Sequence, residues 1–112
     1  MTADWSAWRQ FPDFKTEGFP EASAGPGVYE LRLRSTGKRI LVGESKTLAK
    51  RMRSLLPKSH GGRGTRNNSA KRDYVAKHLT DVEYRTRDCA TKAEAKALER
   101  RLFGKHKYVF PT

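Results

Sequence analysis

Gly27-Val28-Tyr29-Glu30-Leu31-Arg32-Leu33-Arg34, the polar run Ser35-Thr36-Gly37-Lys38, and then Arg39-Ile40-Leu41-Val42-Gly43 make up the stretch that decides how this chain folds. In its first part Tyr29, Leu31 and Leu33 alternate with polar residues, the period-two pattern of a strand with one face buried. The second part is more uniformly apolar and stops at Gly43, and the run between them has the small polar residues and glycine of a turn. The stretch predicts a β-hairpin with Tyr29 on its apolar side.

Downstream, Ser45 or Thr47 can cap a helix in which Leu48, Met52, Leu55 and Leu56 fall at helical spacing until Pro57 stops them, with Arg51 on the edge of the stripe. Residues 58–68 are basic and glycine-rich without periodicity, the composition of an exposed loop. A second helix is expected from near Ser69 to Leu79. Val82, Tyr84 and Thr86 then alternate, predicting a third strand over 82–87 whose other face is charged. Thr91 and Glu94 fit a capping box, and Ala95, Leu98, Leu102 and Phe103 continue as the apolar stripe of a last helix ending near Gly104. The order β-β-α-α-β-α is an α+β layout around a short sheet.

Upstream, residues 1–25 read as an aromatic arm and residues 26–112 as the domain proper. Trp5, Trp8 and Phe11 recur at three-residue steps, which predicts a short helix ending before Pro12, its aromatic residues serving packing.

The chain has 112 residues, room for one hydrophobic core. Its 24 Lys and Arg against 12 Asp and Glu leave a net charge of +12. Such an excess works against the compact state by self-repulsion and so points to a polyanionic partner, of which phosphate backbones are the commonest. An anionic membrane would call for a strongly amphipathic helix or a lipidation motif, and neither is evident. No run approaches the roughly 18 apolar residues of a membrane span, and Met1-Thr2-Ala3-Asp4 does not open a signal sequence, so a cytoplasmic protein is expected. The single cysteine, Cys89, has no partner for a disulfide or a zinc site and reads as a small buried residue at a strand end.

Glu99 is the informative carboxylate. At about 100° per residue it falls within the arc of Ala95, Leu98, Leu102 and Phe103, where an unpaired charge costs several kcal/mol. It therefore needs a cation, either a basic side chain or a divalent metal. Arg51 offers planar donors matched to phosphate oxygens. Tyr29, taken alone, reads as a packed aromatic. Lys58, Arg63, Arg66, Lys71 and Arg72 form a basic cluster between the first two helices, expected to track a phosphate backbone, with His60 a further phosphate contact in the same loop.

Gly27-Val28-Tyr29, followed after the hairpin by Leu41-Val42-Gly43 and then Lys46, Leu48 and Arg51, resembles the GIY-YIG nuclease superfamily, with the motif spacing of its UvrC-type members. The resemblance covers roughly residues 25–110 and extends to Glu94-Ala95, Leu98-Glu99 and Leu102-Phe103, which look like the segment that carries the family's metal-binding glutamate. It implies a three-stranded antiparallel sheet flanked by helices and a metal-dependent endonuclease that hydrolyses DNA with Mg²⁺ or Mn²⁺. On that resemblance Tyr29 would activate or position the water, Arg51 would bind the scissile phosphate and Glu99 would hold the metal, with Lys46 among the nucleic-acid contacts. A lean to single-stranded DNA follows from the lack of a second domain to clamp a duplex. The sequence departs from the family where its second tyrosine is Leu41, where Leu55 stands one turn after Arg51, where Glu44 follows Gly43, and where no asparagine stands near the C-terminus. Two rival expectations follow, a degenerate scaffold that binds DNA or RNA without cutting and a small protein that binds or cleaves RNA. Metal dependence separates the first reading from both.

Overall fold

The computed structural model describes residues 4–13, 20–53 and 66–110. Its strands are β1 (Arg9–Gln10), β2 (Gly27–Leu33), β3 (Arg39–Ser45) and β4 (Val82–Asp88), and its helices are α1 (Leu48–Arg53), α2 (Arg66–Lys77) and α3 (Lys92–Lys105). The expected hairpin is β2–β3, paired antiparallel with Tyr29 opposite Gly43 and Leu31 opposite Leu41. Gly37 turns it, with a φ of +73° that side chains other than glycine rarely adopt. β4 pairs antiparallel with the other edge of β2, placing Tyr29 opposite Thr86 and Leu31 opposite Tyr84.

The sheet has four strands rather than three, in the order β1-β4-β2-β3. The added strand comes from the arm, and the helix expected around Trp5, Trp8 and Phe11 is absent: this segment is extended and pairs along β4. Ser6 N–H donates to the Thr86 carbonyl at 2.8 Å and Phe11 N–H to the Val82 carbonyl at 2.9 Å. A short isolated helix pays its nucleation penalty for few hydrogen bonds, whereas an open strand edge offers partners already in line. A helix would also gather the three aromatics on one side, while the sheet has two faces to cover. Phe11 goes to one, packed edge-on against Tyr84, and Trp5 and Trp8 stack on the Arg85 guanidinium on the other.

Each face has its own core. Tyr29, Leu31, Leu41, Leu48, Met52, Val75, Val82 and Tyr84 lie together on the side of α1 and α2, and Val28, Val42, Cys89, Ala95 and Leu102 on the side of α3. Thr91 caps α3 as expected, its hydroxyl accepting from Glu94 N–H at 3.1 Å. Phe103 departs from the expected stripe: it is 37% exposed and stacks on Tyr108. α2 begins at Arg66, three residues before Ser69. Among the described residues no helix is long and apolar enough to cross a membrane.

Candidate active site

The site forms where the outer edge of the sheet meets α1, α2 and α3. β3 is that edge strand, and its residues 39–40 are covered by the chain after α3: Val109 N–H donates to the Arg39 carbonyl and Phe110 N–H to the Ile40 carbonyl. Four residues on, the Glu44 N–H donates instead to the Glu99 carboxylate. An edge amide thus holds the side chain that the helical spacing marked as misplaced.

Tyr29 reaches the same place from the neighbouring strand. It is fully buried, and its ring and hydroxyl lie directly over Gly43, where even a methyl group would overlap them. The glycine is what lets a strand residue project a phenol across the hairpin. Burial pushes the Tyr29 phenol above its ordinary value, although the Arg51 guanidinium opposes this by its charge and by a hydrogen bond to the hydroxyl. Arg51 is half-buried on α1. The helix is anchored next to β2 by Leu48 N–H to the Gly25 carbonyl at 3.0 Å and Ala49 N–H to the Ser23 carbonyl at 2.8 Å.

Glu99 is half-buried. Burial first, and then the charge of Glu44, push its carboxyl above the ordinary range, against the Glu44 N–H hydrogen bond and the charges of Arg51 and Lys71. Both kinds of cation that the sequence left open for Glu99 therefore have a place here: two basic side chains approach it, and the pair of carboxylates suits a divalent ion.

Tyr29, Arg51 and Glu99 are thus brought together, and of the expected nucleic-acid contacts Lys71 joins them. Lys71 and Arg72 were expected on an exposed surface, yet each is only 6% exposed. The reason is helical geometry: Val75 enters the core from α2, and Lys71, one turn earlier, is carried inward on the same side. Burial and the nearby Arg51 weaken the hold of Lys71 on its proton, while Glu99 strengthens it. Lys46 is exposed in the turn between β3 and α1. Lys58, His60 and Arg63 lie outside the described residues, as does Leu55, and so does the side chain of Arg66.

Sequence reasoning noticed Glu44 only as a departure after Gly43; its position directly behind the glycine that faces Tyr29 was the available signal. It also passed over Lys92, Lys96 and Arg100, exposed on the side of α3 next to Glu99. Helical spacing from Glu99 was enough to find them. Trp5, Trp8 and Tyr74 are half-buried, the tryptophans against Arg85 and Tyr74 against His78 and Phe110.

No protein-family model and no curated protein matches the chain. Among solved structures it is similar to the GIY-YIG N-terminal endonuclease domain of UvrC from Thermotoga maritima bound to magnesium, that domain's catalytic divalent cation. The two are 25% identical over 81% of this chain and 88% of that one, with a TM-score of 0.59. Two point mutants of the same domain, each bound to the catalytic divalent cation, match at 24% and 25% identity with TM-scores of 0.58 and 0.57, covering 81% of this chain and 87% of theirs. A hairpin presenting Tyr29, a helix presenting Arg51 and a last helix presenting Glu99 are therefore arranged on a nuclease scaffold, and the chain has a GIY-YIG-like fold.

Proposed function

We propose that the protein is a metal-dependent endonuclease that hydrolyses phosphodiester bonds in DNA, with Tyr29, Arg51 and Glu99 at its active site. The observation that carries this reading is the convergence of a buried phenol, a guanidinium and a half-buried carboxylate at one sheet edge. The similar domain that binds magnesium supports it.

The donor set fits a hard divalent ion. Glu99 offers the half-buried carboxylate oxygen that such an ion takes. Glu99 would hold the metal, which when bound supplies Lewis-acid polarisation of the phosphate and lowers the pKa of water. The remaining work belongs to the chain. Arg51 presents planar donors to the phosphate oxygens and offsets the charge that grows on them in the transition state. Tyr29, its phenol raised above the ordinary value by burial and opposed by Arg51, would activate or position the attacking water. Lys71 adds a second positive charge beside Arg51. Exposed Lys92, Lys96 and Arg100 offer the flanking backbone a basic surface, and Lys46 extends it at the β3–α1 turn.

The test is cleavage of end-labelled single- and double-stranded DNA in Mg²⁺ or Mn²⁺, against EDTA and Glu99→Ala. Cutting that disappears in both controls establishes the hydrolase, and a preference for the single strand supports the substrate lean. Leu41 favours a second reading, a scaffold that binds nucleic acid without cutting: it is fully buried in the core beside Tyr29, an alkyl group where the family carries a hydroxyl. DNA bound in a salt-sensitive way but left intact under every metal condition would decide for that reading.

A further inference from the structure

Glu44 is a departure from the family motif that lies beside Glu99, and the proposed mechanism gives its side chain no role. Its Oε2 is buried without a hydrogen-bond partner. A carboxylate oxygen removed from water with no donor carries a desolvation penalty that ordinary packing does not return. Its backbone N–H meanwhile fixes the Glu99 carboxylate next to it. The chain has thus set two carboxylates side by side, one anchored by the amide of the other. Among the described residues no three His, Cys, Asp or Glu side chains converge, so these residues offer a divalent ion here no more than two such ligands.

We propose that Glu44 is a second protein ligand to the divalent cation held by Glu99, its buried Oε2 completing a two-carboxylate site. The inference rests on the reading of Glu99 as a metal ligand and adds to it. Mg²⁺ keeps several waters and takes one or two carboxylates, so Glu44 and Glu99 suffice when waters and a substrate phosphate fill the other positions. The edge-strand amide has a defined part in this: by orienting Glu99 it sets the spacing between the two oxygens, as hydrogen bonds to ligating carboxylates do.

The experiment is metal binding by the full chain without nucleic acid. Mn²⁺ is titrated calorimetrically into the wild type, Glu44→Gln and Glu99→Gln. Melting in EDTA checks that each variant is folded, and both should melt no lower than the wild type because a like-charge contact has been removed. The expected result is a weakening of at least about tenfold in Glu44→Gln, the lower bound seen for outer-shell partners alone, together with a larger loss in Glu99→Gln. Wild-type affinity in folded Glu44→Gln, with binding lost in Glu99→Gln, would overturn the role of Glu44 and leave the nuclease reading standing. No Mn²⁺ binding by the wild type would remove both. A second measurement needs no variant: in chain labelled with ¹³C-glutamate, Mg²⁺ should move the carboxyl resonances of Glu44 and Glu99 together, and movement of Glu99 alone would overturn the inference.

Discussion

Tyr29 and Gly43 are a single unit at the level of side chains, since the phenol occupies the space that any larger residue at position 43 would fill. Gly43→Ala should therefore displace the hydroxyl while leaving the sheet paired. Cleavage should fall by about a hundredfold, the order expected when a reacting group is misplaced by around an ångström. Single-turnover cleavage alongside far-UV circular dichroism checks it; full activity in the variant would mean that Tyr29 has no part in the chemistry. Glu99 makes a prediction of opposite sign, about stability. Burial and Glu44 raise its folded-state pKa, so the stability it contributes is present below its unfolded pKa and is lost as pH rises through the folded one. In EDTA near neutral pH, Glu99→Gln should raise the Tm, and the gain should vanish below about pH 4, where the unfolded chain is protonated as well. A lower Tm in Glu99→Gln at pH 7 would mean that its charge is satisfied without a metal.

Among the elements, β2 carries an ion network that neither alternation nor motif announces. Glu30 is wholly buried in the central strand. It accepts hydrogen bonds from Arg85 at 2.9 Å, from Arg39 on β3, and from the Tyr108 hydroxyl beyond α3. One carboxylate thus ties both neighbouring strands and the segment after the last helix to the sheet centre. Burial pushes its carboxyl up, but Tyr108, Arg85 and Arg39 together outweigh burial and hold it below the ordinary value. Its contribution is present above the unfolded pKa and is lost as pH falls through the folded one, so the network belongs to the forces that fail in acid. Removing one partner of a buried ion group leaves the others uncompensated, and Glu30→Ala should cost about 3–5 kcal/mol in urea unfolding at pH 7. A loss under 1 kcal/mol would show the network to be hydrated. The positional reason for Glu30 is that Arg85 and Arg39 flank it on the adjacent strands, and Trp5 and Trp8 cover Arg85 from the solvent side.

The whole chain carries a charge of +12, and among the described residues its unequal exposure separates basic side chains at the site from basic side chains on the surface. Lys71 turns inward to the site, while Lys92, Lys96 and Arg100 stay in solvent on α3. If the outer set meets a phosphate backbone, DNA affinity should fall linearly on a log–log plot against salt. Replacing all three by Gln should reduce the slope by about 1 for each phosphate left without its cation, with little effect on the fold. Fluorescence anisotropy at several salt concentrations measures this. An unchanged slope would move the backbone contacts elsewhere on the surface.

The hairpin, the third strand, the capped last helix and the α+β class were legible in the sequence because each rests on local periodicity or turn chemistry within a few residues. Glu99 was legible for the same reason, as a charge inside an apolar arc, and the resemblance to GIY-YIG nucleases tied it to Tyr29 and Arg51. What local pattern could not carry was any choice settled by a distant partner. The three-residue aromatic spacing of the arm fits a helix, but the open edge of β4 made the extended form the one with hydrogen bonds to gain. Lys71 belongs by composition to a basic surface, but the packing of Val75 carried it into the site. Glu44 became a neighbour of Glu99 only when α3 docked along the edge of β3, because a strand edge leaves its amides and flanking side chains to whatever element the tertiary fold brings against them.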